Sequence, residues 1–529
     1  MFSLLEALRS AVGGHAVRTD NAALALAASD LYSTGERPLA VVRPADSRGV
    51  AAAILAATSH GCAVLPRGGG LSYTSGYTSV TDRAITLDLG GLDRILAIAA
   101  DDLYVTAQAG VTWKQLYEAL RPLGLRLPFF GTFSGFGATI GGGLSHGALF
   151  FGSARYGSAA ENALGLEVAL ADGTLLRTGM GALARPAKPI LRTFGPDLTG
   201  LLTHDGGAFG VKTEATLRVI RTPAHADYLS FVCADLPSAA AVLSAIARED
   251  IAEEIYILDA ASVDAATKVS RADMARSLRS VVRAAGGPLQ AARALASLAR
   301  GGMRPVPDEG WTVHVVAAGR SARAVADDVA IARRLAAKLG GAEIAPTVPR
   351  VARADLFAGL NGVLDHDGRR WAALNAKVAH SDARIVIDGF DRLLAPHAGA
   401  MARHGVTVTR LCSALGSLAF SFECVFHWPD AWLPMHREAP DPAWLAGLTE
   451  PLPNPAARDL VAALRAQTVA FFRDVGAASN QIGRTYPFME VMAPETKALL
   501  RQLKALLDPK GLMNPGVLGF GTGAPADSR

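Results

Sequence analysis

The chain has 529 residues, of which 50% are hydrophobic and 19% charged, and its formal net charge is +4 at pH 7. This length predicts two or three domains with ample core. The charge excess is small, no dense run of Lys or Arg accompanies it, and only 6% of residues are aromatic, so the composition argues against a nucleic-acid-binding protein.

The cysteines and the apolar segments indicate the compartment. Cys62, Cys233, Cys412 and Cys424 lack the spacing of metal ligands and predict buried thiols of a reducing compartment. No apolar run is long enough to span a bilayer. The N-terminus carries Glu6 inside a helical period and lacks the order of a signal peptide. Together these features predict a cytoplasmic protein without a membrane span.

The first third of the chain alternates short strands with helices. Strands are predicted at 37–44 and 63–66, and a helix over 47–61 separates them. Thr112 stands three residues before Gln115, which predicts a capping box at the start of a helix that Gly124 closes. The glycine-rich segment 128–156 is predicted to be irregular.

A hairpin over 162–179 follows, turning on Asp172-Gly173. After Pro223 the sequence pattern changes and predicts strands and helices in βαβ order. A stretch rich in Arg and Ala at about 265–302 is predicted to be helical. The strand "SLAFSFECVFHW" alternates its faces and puts Glu423 and His427 on one side. A helix over 454–476 leads back toward the first block.

Two clusters of glycines indicate places where the backbone adopts unusual conformations or approaches another group closely. In "VLPRGGGLSYTSGY", residues 64–77, three glycines follow a strand, but neither the helix of a Rossmann loop nor the Lys of a Walker loop comes next. A free glycine loop between strands can wrap a diphosphate with its N–H groups, or it can be a plain turn. The glycine cluster at 137–157 likewise indicates that the backbone closely approaches a ligand, and the alternative is an Ω-loop without a ligand.

Several motifs, taken in order, resemble those of a known family. The segments "PRGGGLS", "TIGGG…RYG", "NALGLEVALADGTLLRTG", "GPDLTGLLTHDGGAFGVKTEATLRVI" and "LLDPKGLMNPG" stand in the order found in the FAD-linked oxidases of the vanillyl-alcohol oxidase and para-cresol methylhydroxylase superfamily, which the chain resembles over about 38–220 and 483–519. The resemblance implies an α+β fold, with a two-lobed FAD-binding domain and an α/β, ferredoxin-like substrate cap domain. It assigns 1–222 to the FAD domain, 223–475 to the cap, and 476–529 to a segment that returns to the FAD domain.

The resemblance also implies which residues hold FAD. They are Arg67, Gly68, Gly69, Gly70, Leu71 and Ser72 at the pyrophosphate, Thr139, Ile140, Gly141, Gly142 and Gly143 along the ribityl path, Gly210 and Val211 against the flavin or adenine, and Asn514 near the ring edge. Many relatives attach the flavin through a His after the glycines, where this chain has Leu71. The same resemblance places Lys377, with His380 nearby, where vanillyl-alcohol oxidase has its linking His. We therefore predict non-covalent FAD.

Four residues are candidates for catalysis. Arg484 matches the arginine that binds phenolate in the vanillyl-alcohol oxidase group, although an ion pair at the surface would also explain it. Tyr486 is predicted to wall the pocket or simply to pack. Glu423 and His427 are predicted to handle protons as a pair, or to face solvent.

The substrate class is predicted from the family motifs that this sequence lacks. The metal segment and the Glu-His-Gly-Ile-Gly motif of the D-2-hydroxy-acid branch are absent, which favours a phenolic or aryl alcohol losing a hydride from a CH–OH or benzylic carbon. The alternatives are a 2-hydroxy-acid dehydrogenase and a non-redox flavoprotein of the same fold. We expect no metal, an acceptor among O₂, a quinone or a cytochrome, and a homodimer.

Overall fold

The computed structural model describes residues 2–260, 310–357 and 359–521, so the helix predicted at 265–302 lies outside the described residues. Within these ranges the named strands form four sheets. In the same ranges, every helix falls short of the length or the apolar character needed to cross a membrane.

The first sheet contains the strand that precedes the glycine loop. Its strands are β1 (Val17–Arg18), β2 (Ala40–Val42), β3 (Ala63–Arg67) and β4 (Ala84–Asp88). β4 pairs in parallel with both β2 and β3, while β1 runs antiparallel at the edge. The helices of this lobe are α1 (Phe2–Val12), α2 (Asn21–Ala27) and α3 (Ser47–Ser59). Leu8, Ile54 and Ile85 pack together as its core, and α3 confirms the helix predicted there.

The second lobe is an antiparallel sheet. Its strands, with those of a small ribbon, are β5 (Ile95–Ala99), β6 (Tyr104–Gln108), β7 (Leu125–Arg126), β8 (Ala163–Ala169), β9 (Leu175–Arg177), β10 (Val211–Arg218) and β11 (Ile220–Arg221). The order is β5-β6-β10-β8-β9, with β7 and β11 forming the ribbon. The predicted hairpin is confirmed: β8 and β9 turn at Asp172-Gly173, where Gly173 has φ 83°. α4 (Trp113–Leu120) starts with the predicted capping box.

The prediction of an irregular segment at 128–156 is wrong in part. It contains α5 (Ile140–His146) and α6 (Ser153–Tyr156), and α7 (Leu198–Leu201) follows later. Thr139 caps α5 by accepting a hydrogen bond from the N–H of Gly142 at 3.3 Å. Glycine-rich sequence has poor helix propensity, and here the cap and tertiary packing override it.

The cap is a seven-stranded antiparallel sheet. Its strands are β12 (His225–Cys233), β13 (Glu254–Asp259), β14 (Trp311–Gly319), β15 (Ala342–Ile344), β16 (Arg370–Ala379), β17 (Thr407–Leu415) and β18 (Ala419–Trp428). Their order is β15-β12-β14-β13-β17-β18-β16. The first four strands, with a helix after β12 and another after β14, have the split βαβ arrangement of ferredoxin-like folds. This agrees with the predicted cap architecture.

Helices cover one face of the cap sheet. They include α8 (Leu236–Arg248), α9 (Ala322–Lys338), α11 (Ala383–Leu394) and α12 (Ala398–His404), whereas α10 (Thr347–Ala354) lies on the opposite face, where Arg353 is ion-paired with Glu254. Phe422 and Phe426 of β18 point into this core against Phe390 of α11. The alternation predicted for β18 is therefore confirmed, and its polar residues lie on the opposite face, toward the first two lobes.

The last part of the chain runs back to the first sheet. Its helices are α13 (Pro434–Glu438), α14 (Pro442–Leu445), α15 (Pro455–Asp474), α16 (Phe488–Val491) and α17 (Pro494–Leu507). The N–H of Val64 in β3 donates to Leu512 O at 2.8 Å, and the N–H of Asn514 donates to Val64 O at 2.9 Å. The domain boundaries at 222 and 475 stay a prediction.

Candidate functional site

The glycine loop after β3 packs directly against the segment that leads into α5. A β-carbon at Gly69 would overlap the carbonyl oxygen of Gly137, and one at Gly68 would overlap the hydroxyl of Thr139. Gly70 has φ 71°, in the left-handed region that favours glycine. The three glycines thus let two backbone segments meet and leave their N–H groups without covering side chains.

Helix α5 makes a similar close approach on its other side. A β-carbon at Gly143 would overlap the indole of Trp113, and one at Gly141 would contact Ala109. The glycines of this cluster therefore let α5 pack closely against the second lobe.

Between the glycine loop, α5 and the loop before β10 lies an open cleft of about 880 Å³, including the space at its mouth. This volume falls in the range of ligand sites. The predicted cofactor residues that line it are Gly68, Gly69, Gly70, Leu71, Ser72, Thr139, Gly141, Gly142, Gly143, Gly210 and Val211. Sequence reasoning missed Trp113, Lys212 and Gln481, whose only signal was proximity to glycine-rich segments.

Three of the predicted cofactor residues do not line the cleft. Arg67 turns its guanidinium toward Met435, with Nη2 2.9 Å from Sδ. Ile140 is fully buried in the core of the second lobe. The side-chain N–H groups of Asn514 donate to the carbonyls of Gly76 and Gly206 at 2.8 and 2.6 Å, so Asn514 supports a wall of the cleft from behind.

Buried charge lies at one wall of the cleft. Lys212 donates to Asp205 Oδ1 at 2.5 Å, and both side chains are almost fully buried. Burial, with the positive charge of Lys212 adding to it, lowers the pKa of His146 to about 4, so His146 is neutral at physiological pH. Nδ1 of His146 and Nε1 of Trp113 are buried without a hydrogen-bond partner among the described residues.

The polar face of the cap sheet meets the segment that carries Gln481, because Lys377 of β16 and Ala478 exchange two backbone hydrogen bonds. Asn375 of β16 lies directly opposite Glu423 of β18 in the antiparallel ladder. Nδ2 of Asn375 is buried without a partner, and in the described part of the chain no hydrogen bond reaches the Glu423 carboxylate. Burial raises the pKa of Glu423 to about 7, against the opposing attraction of Lys377.

Lys377 lies two residues along β16, on the same face as Asn375. Its ammonium donates to Oδ1 of Asn480 and, at 3.3 Å, to Oδ1 of Asn375. Asn480 in turn donates to Gly147 O just after α5 at 3.2 Å. Burial lowers the pKa of Lys377 to about 7.

His427 shares the strand face with Glu423 but has different partners. Its Nε2 lies 3.0 Å from the Thr409 hydroxyl, and its Nδ1 lies 3.7 Å from Asp365 Oδ2. Because Glu423 sits beside Lys377 instead, the structure does not bring Glu423 and His427 together as an interacting pair.

Arg484 and Tyr486 occupy the junction between the C-terminal segment and the cap. The Arg484 guanidinium donates to the carbonyls of Ser75 and Pro515 and to Oδ1 of Asn514. The hydroxyl of Tyr486 accepts the N–H of Asn375 at 2.7 Å. Arg484 is thus bound to main-chain carbonyls rather than to a carboxylate, and Tyr486 braces the strand that carries Asn375.

The four cysteines are buried and free, as the sequence predicts. Within the cap, just before β16, Asp365, His366 and Asp367 have ligand atoms close enough together to hold a cation. Asp365 already accepts from the side chain of Arg369 at 2.7 Å.

Comparisons with known proteins agree with this geometry. Residues 38–179 match the family model described as FAD binding domain, and residues 483–518 match the model for the C-terminal domain of FAD linked oxidases. The mitochondrial D-lactate dehydrogenase [cytochrome] of Arabidopsis thaliana is 30% identical over 36% of this chain and 31% of its own length. The glycolate oxidase subunit GlcD of Bacillus subtilis is 29% identical over 42% of this chain and 46% of its own length. The aligned regions therefore span less than half the length of these two curated relatives.

Solved structures match almost the whole fold. A p-cresol methylhydroxylase with bound substrate superposes with a TM-score of 0.74 at 17% identity, covering 99% of this chain and 97% of its own. The 4-ethylphenol oxidase of Gulosibacter chungangensis gives 0.72 at 17% identity, with 98% and 97% covered. An alkyldihydroxyacetonephosphate synthase gives 0.66 at 15% identity, with 97% and 85% covered.

The lobes, the glycine-lined cleft and the cap sheet define a flavin-binding protein of two-domain architecture. Both family models, for an FAD binding domain and for the C-terminal domain of FAD linked oxidases, are matched in the expected order, which supports the predicted resemblance to the FAD-linked oxidases of the vanillyl-alcohol oxidase and para-cresol methylhydroxylase superfamily.

The residues present fit FAD. Glycines at positions where a side chain would close the groove leave backbone N–H groups open to a diphosphate. Lys212, paired with Asp205, lines the wall, and the unpartnered ring nitrogens of His146 and Trp113 offer hydrogen bonds. The lining of the cleft extends from the glycine loop to Gln481, below the cap.

Proposed function

We propose that the protein is an FAD-dependent oxidoreductase that removes a hydride from the CH–OH carbon of a small organic substrate. The observation that carries this proposal is the facing pair of Asn375 and Glu423. A buried donor without a partner costs free energy, and so does a carboxylate left without a hydrogen bond. An alcohol is both donor and acceptor, so one hydroxyl satisfies the amide and the carboxylate together.

The chain's own part in the reaction is to hold the hydroxyl and take its proton. Bound FAD supplies a hydride acceptor at flavin N5. Nδ2 of Asn375 holds the substrate oxygen, and the Glu423 carboxylate accepts the proton as the alcohol becomes a carbonyl. We propose Glu423 as the base without His427, because His427 is held by Thr409 and Asp365.

An aryl or phenolic alcohol is the favoured substrate class. The rings of Tyr73 and Trp371 lie 5.4 Å apart beside the polar pair and provide an aromatic wall. The printed names of two structural neighbours, p-cresol methylhydroxylase and 4-ethylphenol oxidase, point to phenols.

A 2-hydroxy acid is the second candidate, favoured by the names of the curated relatives and by the cation of Lys377, which suits a carboxylate. A flavoprotein without net redox chemistry is the third hypothesis, since an alkyldihydroxyacetonephosphate synthase shares the fold.

We propose that FAD is bound without a covalent link. Leu71 occupies the cleft position where the linking His of many relatives is expected and has no nucleophilic atom. At the second position where relatives link the flavin, the ammonium of Lys377 is engaged by two amide oxygens. Acid precipitation should release the flavin into the supernatant, and flavin that stays with the pellet would contradict the proposal.

The electron acceptor and the assembly are proposed from the resemblance. O₂, a quinone or a cytochrome reoxidises the flavin, and the printed name of the Arabidopsis relative favours a cytochrome. A homodimer is the proposed assembly, which light scattering of the purified protein tests.

Anaerobic titration of the FAD-bound protein with aryl alcohols and 2-hydroxy acids tests the function. We expect an aryl alcohol to bleach the visible flavin band, with the matched methyl ether as an unreactive control because it lacks the hydroxyl proton. Bleaching by 2-hydroxy acids alone would favour the second candidate, and no bleaching by either class would favour the non-redox hypothesis.

A further inference from the structure

Lys377 approaches Glu423 from the neighbouring strand without forming a direct ion pair. In the ladder, Glu423 faces Asn375 and Lys377 faces Ser421, so Lys377 and Glu423 are diagonal neighbours on the same face. Diagonal side chains on an antiparallel pair lie roughly 7–8 Å apart at their origins, within reach of long side chains. The cation is thus close to the carboxylate without pairing with it directly.

The position of Lys377 is fixed by two amides rather than by a carboxylate. Asn375 Oδ1 accepts from the Lys377 ammonium and also from the N–H of Asn480 at 3.1 Å. Asn480 accepts from Lys377 as well, and its own amide is tied to Gly147 O at 3.2 Å. These bonds hold the ammonium in place and keep its charge unneutralised by any direct partner within the described residues.

Among the residues that the structure describes, no other cation offsets the burial of Glu423. The titratable groups that face it are Lys377 from β16, Tyr73 from the loop after β3 and Tyr486 from the C-terminal segment. Burial raises the pKa values of both tyrosines, so these two groups are neutral at physiological pH. Lys377 is therefore the one charge among the described residues that lowers the pKa of Glu423.

We infer that Lys377 is a positioning residue for the proposed reaction: its ammonium, held by Asn375 and Asn480, favours the ionised form of the Glu423 carboxylate, which accepts the substrate's hydroxyl proton. This inference rests on the proposed function. The O–H bond breaks and its proton goes to Glu423, while the hydride and its electron pair leave carbon for the oxidised FAD, so a carbonyl product forms and the charges balance.

Infrared pH-difference spectroscopy of the FAD-bound protein tests the inference without turnover. The C=O band of protonated Glu423 is assigned by its loss in Glu423→Gln. In Lys377→Met we expect the titration midpoint of this band to rise by about one pH unit or more, because an opposite charge nearby favours the ionised form. Lys377→Arg should restore the wild-type midpoint, and Lys338→Met, at an exposed lysine of α9, should leave it unchanged.

The acid limb of the kcat/KM profile should move with the infrared midpoint. Below that midpoint, Lys377→Met should therefore lose about tenfold activity for each pH unit by which the midpoint rises. A midpoint of Glu423 unchanged in FAD-bound Lys377→Met would overturn the inference. If Lys377→Met does not fold, the same comparison is made with Lys377→Gln, which keeps a hydrogen-bonding group. A wild-type protein that no alcohol reduces would contradict the proposed function, while the infrared titration would still decide the role of Lys377.

Discussion

At the scale of single residues, Arg484 shows how a family match and a structure assign different tasks. The resemblance predicts that Arg484 binds a substrate anion, and this stays a prediction. The structure places its guanidinium against the carbonyls of Ser75 and Pro515 and the amide oxygen of Asn514. Burial lowers the pKa of Arg484 to about 10, which still leaves it charged at pH 7. Its contacts therefore join the C-terminal segment to the loop after β3.

Arg484→Ala should destabilise the folded protein. The substitution leaves buried carbonyls without donors, and we expect a cost of about 2–4 kcal/mol for several lost charge-assisted hydrogen bonds. Arg484→Lys should recover only part of this, since a lysine cannot serve several acceptors in a planar fork. Thermal unfolding of the FAD-bound protein measures the effect, with Arg334→Ala, at an exposed arginine, as the control. An unchanged melting temperature in Arg484→Ala, together with a raised KM, would support the anion-binding role instead.

The residues of the proposed alcohol site show the limit of sequence reasoning. Alternation along one strand correctly put Glu423 on the polar face of β18. Asn375 and Lys377 were not assigned to the reaction, because they meet Glu423 only through the pairing of β16 with β18. The register between two strands far apart in the chain depends on the whole sheet, so it cannot be predicted from the sequence of either strand alone.

At the scale of elements, the two glycine clusters differ in a way their sequences conceal. The first stays a loop between β3 and β4, as predicted, because no helical pattern follows it. The second folds into α5 although Gly141, Gly142 and Gly143 disfavour a helix. The cap from Thr139 and the close approach to Trp113 supply the stabilisation, and neither can be recognised without the tertiary structure.

Gly69→Ala should lower FAD affinity by forcing the two glycine segments apart. Its β-carbon would overlap the backbone oxygen of Gly137, and overpacking of this kind typically costs about 1–3 kcal/mol. That corresponds to a loss of roughly tenfold to a hundredfold in affinity if the strain falls on the cleft. Fluorescence titration of the apoprotein with FAD measures it, and Gly181→Ala is the matched control because a β-carbon there meets nothing. Equal affinities in both variants would show that the loop contact does not shape the cofactor site.

At the scale of the whole molecule, the order of motifs predicted the fold class and the cofactor. Each motif marks a place where backbone must approach a ligand or turn sharply, and such requirements survive in short segments. The cap carries no comparable motif, so its strand order and the meeting of β16, β18 and the 478–481 segment could not be predicted. The cap nevertheless supplies Asn375, Lys377 and Glu423, on which the proposed chemistry depends.

The rate of anaerobic flavin reduction by an aryl alcohol, measured in the wild type and in Glu423→Gln, tests the central claim most directly. Both proteins should bind FAD, since Glu423 lies outside the lining of the cleft. We predict bleaching in the wild type and a rate at least about a hundredfold lower in the variant, as expected when a general base is removed. Equal rates in the two proteins would show that Glu423 is not the base, and no bleaching of the wild type by any alcohol would contradict the proposed alcohol oxidation.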